Sequence, residues 1–284
     1  LLADEAPAAG GQVWRAPASG VWTAHRDTDG AAGDVLRARL AASAVECRFG
    51  ARAWSVTRPT KEGFRLDAAS EDGAWSVTAP RMVAATGATE RVLPFPGWTL
   101  PGVIGLAAAT VLLKAHAVLP GQRVVVAGCG PLLAAVAAKI LAAGGEVAAV
   151  VDRASSAEWL AAARHLATRP RLLARGLGWA VRIAGRRVPV LFGHAVRAAE
   201  GVEAVRAVRV SPVRPDGVFL PGGAERRFEV DALCIGDGLV PGAEIPRLLR
   251  AALRFDRALG GWVPVLDAEG RTSLPALFAV GDGA

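Results

Sequence analysis

The sequence contains no tyrosine, one methionine (Met82) and three cysteines in 284 residues. Cys47, Cys129 and Cys234 are scattered, and no Cys-x-x-Cys exists, so a dithiol relay, a disulfide framework and a cysteine metal knuckle are all excluded. A reducing, cytoplasmic compartment suits that count. Lysine is scarce too: of 33 basic residues only Lys61, Lys114 and Lys139 are lysines. The formal charge of +7 therefore rests on scattered arginines. No basic stripe with interleaved aromatics is present, and nucleic acid is not an expected partner. Long apolar runs are missing as well. Residues 92–113 are uncharged but broken by Pro94, Pro96 and Pro101, and Val124 to Ala138 is cut by Gly128, Gly130 and Pro131. Neither can be a transmembrane helix, which needs about 20 continuous apolar residues. No signal peptide is read at the start. The four histidines, His25, His116, His165 and His194, lack metal-ligand spacing, so no metal site is expected.

What is present points to a folded α/β protein. Apolar residues make up 52% and charged residues 21%, which excludes intrinsic disorder and leaves ample material for a core. The chain opens on Leu1 inside an apolar run and stops at Ala284 just after a strand-like segment, which predicts an internal piece of a longer protein. The middle holds a clear βαβ pattern. Residues 123–127 (RVVVA) read as a buried parallel strand, Gly128-Cys129-Gly130 as a turn, and Pro131 as the first position of a helix running to residue 143. Residues 146–151 form the next strand, tipped by Asp152, and two helices broken near Pro170 follow. Towards the start, helical spacing covers residues 35–47, and residues 53–57, 63–66 and 75–78 alternate like an antiparallel meander with turns at Glu62-Gly63 and Asp72-Gly73.

The turn has a definite chemical use. Gly128 permits a tight bend and Gly130 lets backbone approach a pyrophosphate at the positive end of a helix. Asp152, 24 positions beyond Gly128, stands where a carboxylate holds an adenosine ribose. The third glycine position holds Leu133, which should push the helix outward. A bound dinucleotide or mononucleotide and an inherited but empty layer both remain open for this turn. A second cluster joins Glu5, at a strand tip, to Gly10, Gly11 and Gln12; alone, Gly-Gly is more often just a turn. Gly281-Asp282 after the apolar strand at 277–280 is weak alone for the same reason. Cys129 reads as a packing residue, and Trp14, Trp54 and Trp98 as core or subunit-contact anchors.

Taken in order, LLADEAPAAGGQVWRAP (1–17), AATGATERVLPFPGWTLPGVI (84–104), VVVAGCGPLL (124–133), LCIGDGLVPGAEIPRLL (233–249) and LPALFAVGDG (274–283) resemble flavoproteins with two dinucleotide-binding domains. This is the pyridine nucleotide-disulfide oxidoreductase-like fold. Within it the chain is most similar to the FAD subunits of opine oxidase, D-hydroxyproline dehydrogenase and hydrogen cyanide synthase, and to part of the sarcosine oxidase alpha subunit.

The resemblance implies two Rossmann-like domains. An FAD domain would be split over residues 1–117 and 228–284, with its first glycine-rich βα turn some 20–30 residues before Glu5 and so outside this sequence. An NAD(P)-type domain would be inserted at 118–227. Glu5 would hold the FAD ribose, Gly10, Gly11 and Gln12 would line the flavin side, and the backbone near Ala53 would touch adenine. Thr86-Gly87 would form a second strand end facing FAD, and Gly281 and Asp282 would bind its ribityl and pyrophosphate region. Gly128, Gly130, Pro131 and Asp152 would hold a second nucleotide, NAD(H) or ATP, or nothing. No catalytic residue is singled out. The implied activity is oxidation of an amine or amino-acid substrate of opine, hydroxyproline, sarcosine or glycine type, beside a second flavoprotein subunit. The location would be cytoplasmic, or peripheral to a membrane through the complex. A stand-alone NAD(P)H-dependent reductase for a protein acceptor and a non-catalytic nucleotide-binding scaffold are the alternatives.

Overall fold

Strand Arg123–Gly128 lies at the centre of a five-stranded parallel sheet. Its order is Val190–Phe192, Glu146–Asp152, Arg123–Gly128, Ala232–Gly236, Val103–Gly105. The computed structural model describes residues 1–21, 28–60, 63–166 and 168–284; His25, Lys61 and Glu62 lie outside them. Alternation along the central strand explains its unbroken β-branched run. Val124 and Val126 join the core formed with helix Leu132–Ala142, through Val136, Ile140 and Leu141. Val125 and Ala127 face the other way, into a core with Val196, Val205, Val208 and Val210. Those valines come from the antiparallel sheet His194–Gly201, Val205–Pro212, Arg226–Glu229. A strand covered on both faces has no polar side to spare, and each buried valine contributes roughly 1.5–3 kcal/mol.

The chain divides into two compact units. The unit around this sheet is built mainly on Glu90–Gly238; the other gathers Leu1–Pro17, the described residues between 23 and 89, and Leu239–Ala284. These limits fall outside the sequence-based boundaries at 118 and 227. Val103–Gly105 falls in the expected first FAD segment, and the apolar strand after Asp231, with its Gly236-Asp237-Gly238 turn, reads in sequence as the return to the FAD domain, yet both hydrogen-bond into the parallel sheet, Leu233 opposite Val103 on one side and Val125 on the other. The apolar strand after Asp231 is therefore part of this sheet, and the return to the first unit comes at Leu239.

In the first unit the meander is observed as Arg52–Thr60, Gly63–Ser70 and Gly73–Ala79. Two parallel pairs stand beside it as separate two-stranded sheets: Leu2–Asp4 with Cys47–Phe49, and Met82–Ala84 with Leu277–Ala279. The helix expected at 35–47 is instead Thr28–Ala41. It closes at Ser43, whose hydroxyl donates to the Leu40 carbonyl at 2.6 Å. Cys47, inside the expected helical span, instead begins the strand Cys47–Phe49 that pairs with Leu2–Asp4, and Val45 lies in the connection before it. The break near Pro170 is found as expected, between helices Ser156–Leu166 and Pro170–Gly185. Among the described residues no helix is long and apolar enough to cross a membrane.

Candidate functional site

Glu5 follows the strand Leu2–Asp4, and the segment behind it is stitched to the start of the meander. The Ala51 N–H donates to the Asp4 carbonyl at 3.0 Å and the Gly50 N–H to the Ala6 carbonyl at 3.1 Å. Arg52 Nε lies 3.2 Å from Glu5 Oε2, with both side chains well exposed, so the pair adds little stability and leaves the carboxylate accessible. Ala53, next in the chain, pairs with Ala68 in the meander. The structure thus brings Glu5 and the backbone around Ala53 together.

Gly10 and Gly11 occupy a turn closed by the Trp14 N–H donating to the Gly10 carbonyl at 3.0 Å. The two glycines are needed for different reasons. At Gly10 (φ +129°) a Cβ would strike the Trp14 carbonyl. At Gly11 (φ +53°) nothing lies within 4 Å of a Cβ, so its left-handed backbone faces open space. Gln12 is exposed. Arg37, which the sequence did not single out, clamps this loop: its guanidinium donates to the Ala9 carbonyl at 3.3 Å and the Trp14 carbonyl at 2.5 Å, and pairs with Asp34 at 2.6 Å. A lone arginine on a helix carries no sequence signal for that role. Trp14 and Trp54 in this unit, and Trp98 in the other, are exposed, which removes the core half of their expected role.

The parallel pairing of Met82–Ala84 with Leu277–Ala279 brings Thr86-Gly87 beside Gly281–Gly283. Val280 N–H donates to the Ala84 carbonyl at 3.0 Å, and a Cβ on Gly283 would lie 2.9 Å from the Gly87 carbonyl. Gly242 enters the same junction. The Thr86 hydroxyl donates to the Gly242 carbonyl, and the Gly242 N–H donates to the Gly87 carbonyl at 2.8 Å. Gly281 (φ +72°) and Asp282 are exposed on a one-turn 3-10 helix, with nothing within 4 Å of a Cβ on Gly281. FAD is the cofactor this architecture implies. An exposed carboxylate at a strand tip, and left-handed glycines with open space at Gly11 and Gly281, fit it: they allow a ribose contact and close backbone approach.

In the second unit the turn after Arg123–Gly128 is built as the sequence suggests. Gly128 (φ +133°) sits so close to Gly236 that a Cβ would overlap the Gly236 carbonyl, and the Cys129 N–H donates to that carbonyl at 2.9 Å. Gly130 (φ +89°) is open. Pro131 caps the helix, one position earlier than expected. Leu133, in place of the third glycine, is buried in the core with Val124, Val126 and Val136. Burial pushes the Cys129 thiol up and carries the Cys234 thiol up to about 12, so neither is poised as a thiolate.

Asp152 departs from its expected role. It is 3% exposed, and each oxygen already accepts a hydrogen bond: Oδ1 from the Ala154 N–H at 2.9 Å and Oδ2 from the Trp159 indole N–H at 2.8 Å. Burial raises its pKa despite those donors. Nearby, Arg153 Nη1 lies 3.5 Å from Asp237 Oδ1, whose side chain is 8% exposed. A pyridine nucleotide whose ribose rests on Asp152 does not fit this arrangement.

Residues 13–284 match the profile described as pyridine nucleotide-disulphide oxidoreductase. The chain belongs to that family. The opine oxidase A subunit of Rhizobium meliloti strain 1021 is 31% identical over 99% of this chain and 60% of its own length, and that of Agrobacterium tumefaciens strain Ach5 is 31% identical over 99% and 56%. The chain thus spans about 60% of the length of these two relatives. The ferredoxin–NAD(+) reductase subunit of a benzene 1,2-dioxygenase system from Pseudomonas putida is 30% identical over 73% of the chain and 44% of its own length. Among solved structures, L-proline dehydrogenase from P. horikoshii superposes with a TM-score of 0.66 at 21% identity, covering 99% of this chain and 45% of that one. That likeness shows the fold, as does the thioredoxin reductase of T. acidophilum (TM-score 0.64, 22% identity, 99% of this chain and 80% of that one). The family and fold are those of FAD- and pyridine nucleotide-linked oxidoreductases.

Proposed function

We propose that this chain is the core of an FAD-dependent oxidoreductase subunit that works in a hetero-oligomeric complex and serves oxidation of an amine or amino-acid-like substrate. The observation that carries the reading is the 31% identity to the opine oxidase A subunit along 99% of the chain. The geometry supports it: the ends of the two parallel pairs in the first unit carry the exposed Glu5, Gly11, Gly281 and Asp282.

Bound FAD would supply the two-electron acceptor. Glu5 would receive the ribose hydroxyls, the loop of Gly10, Gly11 and Gln12 would lie along the flavin side, and the backbone around Ala53 would contact adenine. Thr86 and Gly87 hold the strand end against Gly242, so that Gly281 and Asp282 are presented to the ribityl and pyrophosphate groups. A cytoplasmic location, direct or peripheral to a membrane through the complex, belongs to the same reading, and three free cysteines accord with it.

The competing reading, an NAD(P)H-dependent reductase for a protein acceptor, draws on the ferredoxin–NAD(+) reductase relative. The closed surroundings of Asp152 weigh against it. The test is anaerobic stopped-flow mixing of the assembled complex with an opine, a proline analogue, sarcosine and glycine. Flavin bleaching by at least one of them is expected; bleaching by none, with flavin present, overturns the substrate class.

A further inference from the structure

In a dinucleotide-binding βαβ unit the carboxylate at the second strand's tip must have lone pairs that a ribose hydroxyl can reach. At Asp152 that access is gone. The Trp159 indole N–H occupies Oδ2, the Ala154 N–H occupies Oδ1, and 3% exposure leaves no approach for a hydroxyl while the indole is in place.

Trp159 is held there by the start of its helix. Ser155 and Glu158 form a reciprocal capping box, Ser155 N–H donating to Glu158 Oε2 at 2.8 Å and Glu158 N–H to Ser155 Oγ at 3.2 Å. The Trp159 N–H follows with a bond to the Ser155 carbonyl at 3.1 Å. The indole is therefore positioned by a fixed first turn. The neighbouring cation is engaged too. Arg153, whose N–H donates to the Gly128 carbonyl at 2.9 Å, turns its guanidinium towards the Asp237 carboxylate, just past the strand Ala232–Gly236 on the far side of Arg123–Gly128. A nucleotide phosphate at this turn would meet a buried acid and an arginine already paired with it.

We infer that Trp159 closes the second nucleotide turn to adenosine nucleotides, so that Gly128-Cys129-Gly130 retains the shape of a dinucleotide site without taking NADH, NADPH or ATP. Trp159 acts as a specificity-determining residue: it replaces the ribose as the donor to Asp152. The inference does not depend on which substrate reduces the flavin.

The test is calorimetric titration of the full-length protein with NADH, NADPH, ATP and ADP-ribose, for the wild type, Trp159→Phe and Trp159→Ala, each checked by thermal melting. The wild type is expected to show no saturation up to about 1 mM, the weak end of specific binding. Trp159→Ala should bind ADP-ribose at least about 10-fold more tightly, and adding Asp152→Asn should remove the gain. Trp159→Phe, which keeps ring bulk but frees one oxygen of Asp152, should gain about 3-fold. Micromolar binding of any of these nucleotides to the wild type overturns the inference. So does a folded Trp159→Ala with no gain; if that variant does not fold, an unchanged Trp159→Phe overturns it in its place.

Discussion

Gly128 and Gly130 look alike in sequence and do different work. Both have positive φ, but only Gly128 is pressed against the neighbouring strand at Gly236. Gly130→Ala should cost about 1–2 kcal/mol, the strain of a left-handed backbone with a Cβ. Gly128→Ala must also displace a strand carbonyl and should cost about 3–4 kcal/mol, among the larger single-residue effects. Chemical denaturation of the two variants checks the difference; equal costs would remove the packing role given to Gly128. Asp67 offers a test by pH. The Ser76 hydroxyl at 2.6 Å and Arg65 Nε at 2.8 Å hold its carboxyl below the ordinary 3.8. Its stabilisation is therefore present above that value and is lost as the pH falls through the depressed folded-state value. Asp67→Asn should lower Tm at pH 7, with the gap to wild type closing as the pH drops below about 4. The spacing from Gly128 to Asp152 was legible because a βαβ unit fixes it. What Asp152 does was not, since that depends on Trp159 folding back seven positions later, which no strand-tip pattern encodes.

Elements buried on both faces were the most legible. The run RVVVA could only be a covered parallel strand, and Val126→Ala there should cost about 2 kcal/mol in a denaturation midpoint series, from lost transfer energy plus a cavity. The meander could be read because its alternation and its Asp72-Gly73 turn agree. The helix Thr28–Ala41 was misplaced because its outward-facing residues are mixed and it contains Gly30 and Gly33. Gly33 is there for contact, since a Cβ would lie 2.9 Å from Trp14. Short strands such as Cys47–Phe49 are set by the partner they pair with, here Leu2–Asp4, and three residues carry too little period to announce it.

At the scale of the whole molecule, the alternation of units was visible in the order of the motifs, but their limits were not. Val103–Gly105 and Ala232–Gly236 belong to the sheet of the second unit by hydrogen bonding, a relation between residues about 130 apart that local pattern does not reach. The first unit likewise gathers segments from both ends of the sequence, so that the strand ends at Thr86 and Gly281 meet. That junction supports a flavin site shared among distant segments, which is the central claim. The most direct measurement is the visible spectrum of the full-length gene product, co-expressed with its gene neighbours, together with identification of the cofactor released on denaturation. Flavin absorbance, released FAD and a partner that co-purifies are the predicted result. A colourless protein that releases only an adenine nucleotide, or nothing, would contradict the claim and leave a nucleotide-binding scaffold in its place.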